Sequence, residues 1–166
     1  MIQLRFVDPR RFGGVWWMGS DADDPTLGPE PLTLSPASLG DRLKKTRRPI
    51  KATLLDQTVI AGLGNIYVDE SLFVAGIHPL KRADRLTREQ VDRLNRAIKQ
   101  VLRRAIKAKG SSLRDYVDAE GNRGGFQKLH NVYDRANQPC VTCKRPIKRI
   151  VLGGRSTHFC VNCQRR

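Results

Sequence analysis

The chain has 166 residues, 39% of them hydrophobic, enough for one ordinary domain or two small ones with a real core. Its 31 Lys and Arg against 16 Asp and Glu give a formal charge of +15, a field that draws polyanions, nucleic acid first among them. No apolar run approaches the roughly 18–20 residues of a membrane span, and the N-terminus lacks the basic start and apolar block of a signal peptide. No membrane partner is therefore expected, and the expected location is cytoplasmic (nucleoid-associated in a bacterium), where thiols stay reduced.

Ile2, Leu4 and Phe6 alternate with polar residues, and Val15-Trp16-Trp17-Met18 follows turn-forming Asp8-Pro9 and Gly13-Gly14. This pattern predicts a β-hairpin. A lone two-stranded hairpin is marginal in water, so residues 1–34 read as the remnant of a β-domain running into a Gly-, Ser-, Asp- and Pro-rich linker. Helical signals then take over. Ser35 is a candidate cap for a helix from Pro36 to about Lys45, with proline at its first position. A short helix carrying Ile50, Leu54 and Leu55 should follow Pro49. The turn Ala61-Gly62-Leu63-Gly64 then leads into a helix from about Asn65 to Ala75, closed by Gly76.

Thr87-Arg88-Glu89-Gln90 is a capping box and opens the longest helix, to about Lys109. Val91, Leu94, Ile98, Val101, Leu102, Ala105 and Ile106 form its predicted buried stripe. Arg93, Arg96, Lys99, Arg103, Arg104 and Lys107 cover the other faces. Such a run reads first as a solvated face and second as a DNA contact. Residues 118–131 begin as a glycine-rich loop. Short β-prone stretches at 131–133, 148–152 and 158–159 bracket the cysteines.

All four cysteines fall in the last 27 residues, as Cys140-x-x-Cys143 and Cys160-x-x-Cys163 with sixteen residues between the pairs. Two such knuckles match the signature of a tetrahedral zinc site, and the intervening segment is long enough for a β-hairpin to bring them together. Disulfides or free thiols are the alternative, and His158 is a substitute ligand that four cysteines make unnecessary. A closed four-sulfur shell makes the metal, one zinc, structural. From Val132 to Arg166 there are eight Lys or Arg against the single acid Asp134. A metal-pinned hairpin so charged suits phosphates. Arg155, in the turn Gly153-Gly154-Arg155-Ser156-Thr157, is placed to enter a groove or is simply a surface arginine.

Several segments, in order, carry a resemblance. They are Asp8-Pro9-Arg10-Arg11-Phe12-Gly13, Leu27-Gly28-Pro29-Glu30-Pro31-Leu32, Ile50-Lys51, Leu55-Asp56-Gln57 and Ala61-Gly62-Leu63-Gly64-Asn65-Ile66-Tyr67. Glu70-Ser71-Leu72-Phe73, Ala75-Gly76-Ile77-His78-Pro79 and the four cysteines follow. The set resembles the formamidopyrimidine-DNA glycosylase / endonuclease VIII family, and its first stretch resembles the formamidopyrimidine branch. The resemblance implies an α+β fold, mainly α. A remnant β-domain and linker would occupy 1–34, a helix–two-turn–helix DNA-binding domain 35–117, a loop 118–131 and a zinc-finger β-hairpin 132–166.

The resemblance also implies partners and roles. Arg10 and Phe12 match residues that fill the gap left by a flipped base, where an aromatic wedge and a cation replace lost stacking and pairing. Lys51 and Asn65 match phosphate-binding positions, and a helix N-terminus at Asn65 would favour the anion. Arg155 matches a phosphate-gripping arginine that also supports the lyase step. Residues 118–126 match the loop over the extruded base. The partner implied is double-stranded DNA, damaged or abasic. The chain also departs from the family, whose nucleophile is an N-terminal proline followed by Glu; here residues 2 and 3 are Ile and Gln. The expected function is thus a truncated DNA-binding module without glycosylase activity of its own. The alternatives are an active glycosylase/AP lyase that uses another amine or a separately supplied N-terminal domain, and an RNA-associated zinc protein.

Overall fold

The computed structural model describes residues 6, 15, 26–111 and 124–166. The hairpin expected over 1–18, the first part of the linker, Arg10, Phe12 and most of the 118–126 loop lie outside the described residues. Among those described, the fold is mainly helical with one two-stranded hairpin. Four α-helices come first: α1 (Pro36–Lys44), α2 (Ile50–Leu54), α3 (Asn65–Ala75) and α4 (Arg88–Lys107). Strands β1 (Lys148–Leu152) and β2 (Arg155–Phe159) follow. No helix among the described residues is long and apolar enough to cross a membrane.

Local chemistry sets the helix ends. The Ser35 hydroxyl accepts from the Ser38 amide at 3.2 Å with Pro36 in the first turn. Thr87 and Gln90 make both halves of the capping box. At Gly76, which closes α3 with φ 68°, the chain turns back, and Ile77 N–H donates to the Leu72 carbonyl. The apolar faces meet in one core built from Leu39 and Leu43, Ile50 and Leu54, Leu63, Val68 and Leu72, and Leu94 and Ile98. Each such side chain contributes roughly 1.5–3 kcal/mol of burial. Gly28 is fitted to this core by size. A Cβ there would stand 2.7 Å from the backbone of Val59 and Ile60, so the 26–34 segment can lie against the α2–α3 loop only with glycine at that point.

Two sequence expectations are corrected. Ile106, assigned to the buried stripe of α4, is 64% exposed. The helical period reaches it, but the core beneath α4 ends at Val101 and Ala105, which pack on Phe126. The helix also stops two residues early, where Lys109 (φ 57°) and Gly110 (φ 80°) reverse the chain. Residues 131–133, expected to be extended, form no strand. Their amides are taken up by a side chain of α3, as described below, and none is left for a ladder.

The hairpin pairs antiparallel with Val151 opposite Ser156 and Leu152 opposite Arg155. Its turn is Gly153-Gly154, both at positive φ (55° and 73°), the geometry that suits the twist of a tight hairpin. Arg155 is therefore the first residue of β2, directly after the turn. A second cluster, Phe73, Val132, Cys140, Ile147 and Cys160, joins the cysteine region to α3.

Candidate metal centre and nucleic-acid interface

The four cysteines form no disulfide, and their Sγ atoms lie within 4.8 Å of one another. Cys140 and Cys163 are 3.8 Å apart and Cys143 and Cys160 3.4 Å. A tetrahedron with Zn–S bonds of about 2.3 Å has sulfur–sulfur edges of about 3.8 Å, so the donor set fits zinc in both chemistry and size. The backbone amide of Arg145, with neighbouring thiols, draws the Cys143 thiol down to about 6, whereas burial pushes those of Cys160 and Cys163 up. A dication among the sulfurs supplies the charge that lets all four act as thiolates.

Two further contacts tie this region to the helices. Gln164 accepts from the Cys160 amide (2.8 Å) and donates to the Ile77 carbonyl (2.9 Å). His78 N–H donates to the Arg165 carbonyl.

Two consecutive acids on α3, both buried, hold the cysteine region from the other side. The Glu70 carboxylate accepts from the amides of Asn131, Val132 and Tyr133 and from Asn131 Nδ2, all at 2.8–3.0 Å. Asp69 Oδ1 takes Lys51 Nζ at 2.6 Å, and Asp69 Oδ2 takes the His158 amide at 2.8 Å. His158 Nδ1 stands 3.5 Å from the same oxygen. Lys51 also donates to the Ser156 carbonyl at 2.7 Å, and Asn65 Nδ2 donates to that carbonyl at 3.0 Å.

The predicted site residues thus separate into two groups. Asn65, the first residue of α3, bonds the Ser156 carbonyl, and Arg155, exposed at the start of β2, is the chain neighbour of Ser156. The α3 N-terminus has no acid in its first turn and no side-chain cap, the setting in which a helix start favours an anion. Lys51 is different: it has no accessible surface. Burial pushes its ammonium pKa down, Asp69 pulls it back up, and the nearby Arg155 charge pushes it down again. Lys51, expected at a phosphate, has its ammonium on Asp69 and the Ser156 carbonyl, as a buried charge needs a partner in contact.

The loop that aims α3 is braced internally. Gln57 donates to the Leu55 and Leu63 carbonyls and accepts from the Gly62 amide. Asp56 accepts from the Thr58 hydroxyl, Thr58 N–H and Arg48, which hold its carboxyl down at about 2. Asp69, Glu70, Gln57 and Gln164 were missed from sequence. The available signal was the acid pair inside Val68-Asp69-Glu70-Ser71-Leu72, since charges within an otherwise apolar helix need partners.

Two family patterns match this chain: the formamidopyrimidine-DNA glycosylase H2TH domain over residues 27–117, and the zinc finger found in FPG and IleRS over 137–166. Together with the four-sulfur geometry, the second makes Cys140, Cys143, Cys160 and Cys163 the site of one structural zinc. The chain is 50% identical over 167 residues to a formamidopyrimidine-DNA glycosylase of Chloroflexus aurantiacus, covering 98% of this chain and 60% of that protein. It is 46% identical to one of Synechococcus, covering 98% and 61%. The chain therefore spans about three fifths of the length of these relatives.

Among solved structures it is similar to the MutM (FPG) protein of Thermus thermophilus, with TM-score 0.80 and 48% identity over 84% of this chain and 54% of that one. It is also similar to a Lactococcus lactis Fpg in complex with DNA containing an abasic site. There the TM-score is 0.79 and the identity 40%, over 85% of this chain and 52% of that one.

Proposed function

Since the chain belongs to the formamidopyrimidine-DNA glycosylase family, we propose that these residues are the duplex-gripping part of a base-excision-repair glycosylase/AP lyase, holding damaged or abasic DNA. The carrying observation is the bond from Asn65 Nδ2, at the start of α3, to the Ser156 carbonyl, which sets that helix start against β2 next to the exposed Arg155. Asn65 Nδ2 spends one hydrogen on Ser156 and keeps the other for a phosphate oxygen. Arg155 adds a guanidinium whose forked donors match phosphate geometry. The zinc holds the hairpin that carries Arg155 and takes no part in the chemistry. Arg10 and Phe12 are assigned to the gap left by the extruded nucleotide. The abasic-site complex of the Lactococcus lactis relative supports duplex DNA as the ligand.

The test is affinity for a duplex carrying a tetrahydrofuran abasic analogue. Asn65→Ala and Arg155→Ala should each weaken binding by roughly 1–3 kcal/mol, the scale of charged hydrogen bonds. Variants equal to the parent would refute the assigned surface.

Base excision is not expected of the 166-residue polypeptide alone. A Schiff base needs a free amine within bonding reach of the sugar, and the amine at the heart of this site, Lys51, is locked between Asp69 and Ser156. Borohydride trapping on an abasic duplex should leave the chain unlinked. A covalent adduct would favour the alternative, an active lyase using another amine.

A further inference from the structure

The Lys51–Asp69 pair does more than neutralise itself. Each member makes a second bond, and both of these go to β2, from Lys51 Nζ to the Ser156 carbonyl and from the His158 amide to Asp69 Oδ2. The two backbone groups are two residues apart, so they lie on the same edge of the strand. Because they are engaged by α2 and α3 side chains, that edge is the one turned away from β1. Lys51, Asp69 and Asn65 therefore stand where a third strand would pair, and they fix the register of β2 against the helices. Arg155 is the next residue toward the turn and lies outside this clamp, exposed.

Stability alone does not account for this arrangement. Desolvating two charges offsets most of their attraction, so the ion pair by itself adds little that a packed apolar pair of similar volume would not. What an apolar pair could not do is grip a carbonyl and an amide at fixed positions.

We propose that Asp69 is a positioning residue for DNA binding: by orienting Lys51 and holding the His158 amide, it sets Arg155 at the height of the α3 N-terminus, where one phosphate can meet both. This rests on Arg155 being a phosphate contact, as argued above. Asp69 is a positioning and not a contact residue, and on this proposal its effect on affinity passes through Arg155. That dependence separates it from a residue that merely stabilises the fold.

The experiment is a double-mutant cycle on the full chain with zinc bound. Asp69→Asn, Arg155→Ala and the double variant are titrated with the tetrahydrofuran duplex at several salt concentrations. Asp69→Asn should lower affinity about tenfold, the scale of one charge-assisted hydrogen bond, and flatten the slope of log K against log salt by about 0.9, one phosphate's share. On the Arg155→Ala background it should change neither. Asp69→Asn strands a buried ammonium, so the paired replacement K51M/D69L serves as the second variant. It should keep its zinc and melt only a few degrees below the parent, the cost of the unpaired His158 amide, yet show the same loss of affinity and slope.

Losses that multiply in the double variant, or K51M/D69L binding like the parent, would overturn the proposal while leaving the Arg155 contact standing. An Arg155→Ala variant that binds like the parent would overturn that contact and the proposal together.

Discussion

Removing the Glu70 carboxylate should loosen the finger from the helices. The side chain is fully buried, and Glu70→Ala strands four donors: the amides of Asn131, Val132 and Tyr133 and the Asn131 side-chain amide. An unpaired buried donor costs about 1–3 kcal/mol. Only the Val132 bond lies in fully buried surroundings, while the others are half-buried and can recruit water. The loss should therefore total about 3–5 kcal/mol, the range for breaking a buried charged network. For a chain of this length that lowers the melting midpoint by about 10 °C. Glu70→Gln keeps one acceptor oxygen and should lose less than half as much. Thermal melts followed by near-UV circular dichroism, with a colorimetric chelator reporting zinc release, give both readouts. If Glu70→Ala melted within about 2 °C of the parent and kept its zinc on the same time course, the cradle would not be what docks the finger.

Two other outcomes follow from the same geometry. Chelating the zinc should unfold the region from 132 to 166 and weaken DNA binding while most far-UV helical signal survives, because the α1–α4 core is separate from the cysteine cluster; loss of the helical signal in step with zinc would contradict this. The Asp56 carboxyl is held at about 2 against an ordinary 3.8. Its contribution is therefore present above about pH 4 and fades as pH falls toward 2, and it is small because the half-buried carboxyl and its exposed partner Arg48 are screened by solvent. Asp56→Asn should flatten the acid limb of the stability curve between those values, and an unchanged limb would remove Asp56 from the account.

What could be read in the sequence was whatever is decided locally. Ser35, Thr87 with Gln90, and Gly76 mark helix ends because capping involves residues three or four apart. The cysteines announce their metal by spacing alone. The misreadings come from partners far along the chain. Residues 131–133 look extended until Glu70, some sixty positions earlier, takes their amides. Lys51 looks like a surface cation because its partners are Asp69, 18 positions away, and Ser156, 105 positions away. Ile106 keeps the helical period, but periodicity carries no information about where the opposing layer ends.

The claim that these residues grip duplex DNA through its phosphates is tested most directly by the salt dependence of the parent chain's affinity for the tetrahydrofuran duplex, measured alongside single-stranded DNA of the same sequence. A contact set containing Asn65, the α3 N-terminus and Arg155 predicts a steep linear fall of log K with log salt, at about −0.9 for each phosphate neutralised by a cation, and tighter binding to the duplex at every salt. A salt-insensitive complex, or a preference for the single strand, would contradict it.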